Sequence, residues 1–238
     1  MIAERIAEVV MLRKIWWTWD VRVRWSHGFS RYPQSFINNY CAMVDAAARY
    51  GVKGIIIWGF LRDSHGGVDA GRRIVDYAGE RGVTILPGVG IDCYGGITYD
   101  GTSPYSLDAY LEEHPDQRAV DEEGAPFMYR HNAHIDPKWK PAACPSDDAI
   151  LSWYREGIEW LIETFGVQGF QIEQGDKGLC HCERCRAKRR VTTGWEGTAA
   201  SATDAAVRIP AVVNPVLERY PRLIIISEMY APLNAETL

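Results

Sequence analysis

Nowhere in these 238 residues does an apolar run approach the length of a membrane span, so no membrane partner is expected. A surplus of positive charge is missing too. With 26 Lys and Arg against 31 Asp and Glu, the net charge of −5 argues against a general binder of nucleic acid or acidic membranes. No complete phosphate-binding fingerprint is present: Gly66-Gly67 and Gly95-Gly96 stand without the residues that a Walker or dinucleotide loop requires. They read as glycines permitting tight turns, although a helix start near Arg62-Asp63-Ser64 would also suit a carboxylate. Residues 1–12 carry Glu4, Arg5 and Glu8 and so do not form a secretory signal. They read as a short amphipathic helix, or as an extension upstream of a start at Met11. The chain has six cysteines but lacks the second pair that would complete a standard zinc finger. Thiols without a visible signal peptide favour a reducing, cytoplasmic compartment.

What the chain does have is a repeated arrangement of apolar run and polar terminus. Hydrophobic residues make up 47% of it, enough for a substantial core in one large α/β domain or two small ones. Five strand-like runs end in polar or acidic clusters: 14–20 closing on Asp20, 54–58 followed by Arg62, Asp63, Ser64 and His65, 83–87 followed by Asp92, 169–173 closing on Glu173 with Asp176 beyond, and 223–228 closing on Glu228. Charge just past the carboxyl end of successive buried parallel strands is how a (β/α) barrel assembles an active site. Helix N-caps also favour Asp and Ser. That alternative accounts for Asp63 or Ser64 but not for Glu173 and Glu228, which sit inside strand ends.

Between the runs, apolar residues recur at helical spacing. Pro33 opens a helix with Phe36, Ile37, Tyr40, Met43, Val44 and Ala47 on one face and Gly51 as its stop. A second helix is predicted over 68–81, ending at Gly82. A third follows Ser146-Asp147-Asp148, with Ser146 in a capping position, and runs through Trp153, Ile158, Leu161 and Phe165 to Gly166. Strand, helix, glycine and strand in succession mean parallel strands. The interval from Asp92 to Cys144 breaks the rhythm and reads as a lid or site wall, with a small helix over 107–114.

The fold class expected is therefore α/β of the (β/α)8 TIM-barrel type, apparently truncated after strand 5, because a closed barrel needs eight strands. The alternative is a five-stranded doubly wound parallel sheet. In domain terms, 1–12 is an N-terminal helix or upstream extension, and 13–238 is the front portion of a barrel domain with a long loop over 92–145. As a fragment the chain would leave a parallel sheet edge open, an aggregation hazard; a carbohydrate substrate and a homo-oligomer are the partners expected.

Five segments carry a family resemblance: Trp17-Thr18-Trp19-Asp20, 57–67 (Ile57-Trp58-Gly59 through Gly66-Gly67), Leu86-Pro87-Gly88-Val89-Gly90, Ala143-Cys144-Pro145-Ser146 and Glu173-Gln174-Gly175-Asp176. Together they resemble the front half of TIM-barrel glycoside hydrolases and are similar to a broad set of bacterial proteins of that type. Among characterised groups the resemblance points to the inverting exo-sialidases of glycoside hydrolase family 156. It implies central roles for Asp20 and for a histidine in the loop after the third strand, His134 with His131 as its rival. It also implies arginines on the substrate carboxylate, for which Arg130 and Arg62 are the candidates. The chain departs from other barrel glycosidases: an Asn does not precede Glu173, and Glu173 and Asp176 stand three apart rather than adjacent.

The chemistry can also be argued from residue types alone. Glycoside cleavage needs one group to protonate the leaving oxygen and another to activate water or attack directly. Asp20, Asp92, Glu173, Asp176 and Glu228 are placed to share one rim, and a histidine can serve as acid or base near neutral pH. Asp20, His134 and Glu173 are the catalytic candidates. Arg62, Asp63, His65, Asp92, Arg130, His131, Asp176, Glu228 and Trp58 are the substrate-binding ones, with Trp58 divided between core residue and sugar platform. Trp25 and Trp139 are further loop aromatics, whereas Trp16, Trp153 and Trp160 read as core.

Cys180, Cys182 and Cys185 form a dense cluster after the fourth strand and are candidates for a structural zinc, with Cys144 a fourth ligand if its loop folds back. A disulfide with a spare thiol and a reduced loop clip are the competing readings. The expected function is hydrolysis of a terminal sugar, with an acidic sugar such as sialic acid and inversion as its sharpest form, needing no cofactor. The alternatives are a metal-dependent barrel isomerase or hydrolase, and a non-catalytic carbohydrate-binding barrel.

Overall fold

The computed structural model describes residues 14–19, 33–98, 104–129, 139–173, 179–189 and 199–228. Strands and helices alternate: β1 (Ile15–Trp19), α1 (Pro33–Arg49), β2 (Gly54–Trp58), α2 (Gly67–Gly79) and β3 (Thr84–Gly90) come first. The excursion after β3 holds α3 (Leu107–Glu113), β4 (Met128–Tyr129) and β5 (Lys140–Pro141). Then follow α4 (Asp148–Phe165), β6 (Gly169–Glu173), α5 (Glu183–Lys188), α6 (Ala199–Arg219) and β7 (Ile224–Glu228).

The main sheet has the order β1-β2-β3-β6-β7, and every neighbouring pair is parallel. Each new strand adds beside the previous one and the order never reverses. A doubly wound sheet must reverse at a switch point, so that alternative is set aside. The pairing is staggered as well. β2 pairs with Thr84–Pro87 of β3, whereas β6 pairs with the last residues, Gly88↔Gln171 to Gly90↔Glu173. Such a shift along the strands is the shear that curls a sheet toward a barrel. The five strands form a curled half-barrel of TIM type.

Both faces of β2 are covered, which is why it reads Gly-Ile-Ile-Ile-Trp with every residue buried. Alternate residues face opposite ways. Ile55, Ile57, Ile85, Val89, Phe170 and Ile172 join Phe36, Val44, Ile74, Ile158, Leu161 and Val216 of the helices in the outer core. Ile56, Trp58 and Leu86 belong to a second core on the concave side, with Cys93, Tyr94, Tyr129, Cys144, Cys180 and Cys185.

Local signals set the helix ends. Gly166 takes φ 64 and closes α4 through its amide on the Ile162 carbonyl. The cap at the other end is Asp147, whose carboxylate accepts from the amides of Ala149 and Ile150, rather than Ser146. Ser146 instead places its hydroxyl 3.2 Å from the Cys185 sulfur. The second helix stops at Gly79, and the bend to Gly82 (φ 65) leads into β3. The excursion after β3 folds back: Ala119 donates to the Ala142 carbonyl (2.8 Å) and Ala143 to the Asp92 carbonyl (2.9 Å). Those bonds satisfy backbone groups that burial would otherwise strand, and they return the chain to the rim.

Candidate functional site

The concave face gathers polar groups from neighbouring strands around Gln171, which is 2% exposed in the middle of β6. Its side-chain carbonyl accepts from the indole Nε1 of Trp17 (2.9 Å) and from that of Trp58 (2.7 Å). Its amide nitrogen donates to a carboxyl oxygen of Glu228. Gln171 thus orients two tryptophans and one acid at once, and its own polar atoms are satisfied inside an apolar run. The Trp58 ring lies over Gly88: a Cβ there would meet Trp58 ring atoms at 2.4–2.8 Å. Glycine at this position of β3 is what lets the indole cross the sheet.

Glu173 lies one layer nearer the carboxyl end. It is level with Gly90 on one side and with Glu228 on the other, so two acids stand side by side at the ends of neighbouring strands. Cα atoms so paired are about 4.7–4.9 Å apart. Glu173 is 6% exposed, and its carbonyl accepts from Ile91 at 2.7 Å, which holds the start of the excursion against β6. Trp17 is 45% exposed on the same face.

The groups after β2 and β3 lie differently. His65 is fully buried, stacked on Phe36 with ring centroids 4.3 Å apart, and its Nδ1 donates to the Gly59 carbonyl at 2.9 Å. Burial is the main cause that lowers its pKa from 6.5 to about 4; the Gly59 bond opposes this and Arg62 reinforces it. The ring is therefore neutral and packs toward α1. Arg62 is buried beside it and Asp63 is exposed. Asp92 takes φ 78, its amide donates to the Tyr154 hydroxyl at 2.6 Å, and its fully buried carboxylate is paired with Arg208 of α6. Burial draws the Arg208 guanidinium down to about 9, and the adjoining carboxylate acts against that.

Four cysteines converge behind the rim. The Sγ atoms of Cys144, Cys180, Cys182 and Cys185 lie within 4.8 Å of one another, and this group could hold a metal ion. Thiol hydrogen bonds from Cys144 and Cys185, then the backbone amides of Cys182 and Val120, hold the Cys180 thiol well below its ordinary pKa. The same sharing, led by the bond with Cys180, pushes Cys144 up to about 12. Cys144 therefore joins the three clustered cysteines.

Of the residues singled out from sequence, Trp58, Glu173 and Glu228 share the concave face, Arg62, Asp63 and His65 follow β2, and Asp92 sits under the excursion. Asp20, Arg130, His131, His134 and Asp176 lie outside the described residues, as does the loop residue Trp25. Trp139 is 61% exposed. Two functional neighbours escape sequence reasoning. Gln171 was signalled only as a polar residue between Phe170 and Ile172, and Arg208 as a charge beside Ile209.

No family model and no curated protein matches the chain. Solved structures do share its fold. A noncanonic maltogenic alpha-amylase from Thermotoga neapolitana matches with a TM-score of 0.52 at 14% identity, over 92% of this chain and 46% of that one. An alpha-galactosidase from Lactobacillus brevis matches with a TM-score of 0.57 at 9% identity, over 90% and 26%. The catalytic module of a glycogen-degrading pneumococcal virulence factor gives 0.51 at 12%, over 93% and 32%. The chain spans less than half the length of each, and at these identities the likeness is one of fold: all three are TIM-barrel glycosidases.

Proposed function

We propose that this chain carries the front part of a glycoside hydrolase site that cleaves a terminal sugar from a carbohydrate. The observation that carries the reading is the pair Glu173 and Glu228, level with each other at the carboxyl ends of β6 and β7 above the Gln171, Trp17 and Trp58 layer. One carboxyl of such a pair can protonate the leaving oxygen while the other stabilises or attacks the anomeric carbon. Gln171 fixes the rotamer of Glu228, so that acid is preorganised. Trp17 offers an exposed aromatic face, suited to a pyranose ring.

In its sharper form the substrate ends in an acidic sugar such as sialic acid and the reaction inverts. Asp20 and His134 would then act as the acid–base pair, with His131 the substitute for His134, and with Arg62, Arg130, Asp63 and Asp176 binding substrate. The family resemblance supports this version. His65 and Asp92 enter it as supports of the rim, since both are buried against the helices. Inversion needs carboxyl groups about 6.5–9.5 Å apart and retention about 5–5.5 Å, so the stereochemistry identifies the working pair. The reaction needs no cofactor. Metal at the four cysteines would be structural zinc, because four protein sulfurs leave no open position for substrate. That weighs against the metal-dependent isomerase reading.

The test is hydrolysis of a panel of fluorogenic glycosides, sialoside and glucuronide included, by this chain and by any longer product of its gene. Glu173→Gln and Glu228→Gln are each expected to lower kcat by about 10²–10⁴, and NMR of the first-released anomer gives the outcome. Inversion together with collapse in Asp20→Asn selects the sialidase-like version. Retention with an intact Asp20→Asn selects the glutamate pair. Sugar binding without turnover would overturn the enzyme reading.

A further inference from the structure

Two separate stretches of chain deliver the four cysteines to one point. Cys144 precedes the cap of α4, Cys180 and Cys182 follow β6, and Cys185 lies in α5. Cys144 Sγ is 3.7 Å from Cys182 Sγ, 3.7 Å from Cys185 Sγ and 3.9 Å from Cys180 Sγ. A disulfide would bring two sulfurs to about 2.05 Å, and none of the four is bridged. A tetrahedral zinc with Zn–S bonds of about 2.3 Å has sulfur–sulfur edges of about 3.8 Å. The three distances fall on that value.

The surroundings also suit a metal. Cys144, Cys180 and Cys185 are each 1% exposed, so the group is held by the fold rather than by mobile surface chain. Two arginines flank it: Arg189 donates to the Cys180 carbonyl at 2.8 Å, and Arg184 reaches Asp147 at 2.9 Å. Their positive charges offset the double negative charge of a zinc tetrathiolate. The backbone is pinned on both sides, with His181 donating to the Val120 carbonyl (2.8 Å) and Cys144 to the Gln117 carbonyl (2.9 Å).

We propose that Cys144, Cys180, Cys182 and Cys185 bind one zinc(II) ion in a closed tetrathiolate site that clips the excursion after β3 to the segment after β6. Each thiol releases its proton to solvent as its sulfur takes the metal. The clip fixes the chain just beyond Glu173 and anchors the return of the excursion at Asp147, so it sets how two walls of the rim meet. It stands on sulfur geometry and does not depend on the glycosidase reading.

The test is elemental analysis of the unmodified chain, purified under reducing conditions from zinc-supplemented medium, followed by exchange with cobalt(II). One zinc per chain is expected, with an intense thiolate-to-cobalt charge-transfer band and tetrahedral d–d absorption after exchange. Cys182→Ser, at the half-exposed ligand, should weaken zinc at least tenfold in competition with a chromogenic chelator. Cys41→Ser, outside the cluster, should leave it unchanged. A folded chain without stoichiometric zinc, one that holds iron instead, a cobalt form without the thiolate band, or a disulfide among these cysteines in the native protein would each overturn the proposal.

Discussion

His65 and Arg208 show how single residues tie this fold to its conditions. His65 is a base whose folded pKa, about 4, lies below its ordinary 6.5. Between those values the unfolded chain takes up a proton that the folded chain refuses, so stability falls as pH drops through this window. The shift corresponds to about 3 kcal/mol at full effect. Urea unfolding at pH 7 and pH 4.5 should show a smaller loss for His65→Gln than for the unmodified chain, and equal losses would sink the assignment. Arg208 is tested by removal. Arg208→Met removes the cation paired with the buried Asp92 carboxylate and should destabilise by about 3–5 kcal/mol. Adding Asp92→Asn should recover part of that, which separates lost pairing from lost packing.

Strands and helices depend on close approaches that only particular residues allow. Gly88 gives the clearest case in the sheet, because the Trp58 indole occupies the space a Cβ would need. Gly88→Ala should cost about 1–3 kcal/mol through overpacking and shift the Trp58 fluorescence. An unchanged emission spectrum and melting curve would mean the ring does not lie there. Among the helices, the start of α4 shows a division of labour between neighbours that composition does not predict. Ser146 and Asp147 are both competent caps, yet Asp147 caps while Ser146 turns to Cys185. The competing partner is a cysteine brought from beyond β6, and nothing local to Ser146 announces it.

For the whole molecule, the consequence of a metal clip is stability that depends on metal. Zinc removal by a strong chelator at neutral pH should lower the melting temperature, at about 2–4 °C per kcal/mol lost for a chain of this size. Zinc added back should restore it. Protease cleavage should rise first between β6 and α5. A melting curve indifferent to chelation would separate the cysteines from stability altogether. Among the described residues no helix is long and apolar enough to cross a membrane.

The sequence alone determined what depends on neighbours along the chain: apolar runs ending in acids, helical spacing, glycine stops, and so the strand and helix succession of a TIM-type barrel. The excursion helix over 107–113 is legible for the same reason, whereas the cap of α4 falls on Asp147, one residue past Ser146, because two adjacent residues can each do the job. Tertiary structure alone decided what depends on residues distant in sequence. It set the unreversed strand order that rules out a doubly wound sheet, and the register that levels Glu173 with Glu228. It also turned Gln171 toward two tryptophans and an acid, paired Asp92 with Arg208, and brought Cys144 to the other three thiols. Local propensity acts over a few residues, whereas these contacts join positions 36 to 154 residues apart, and only the curl of the sheet brings such positions together.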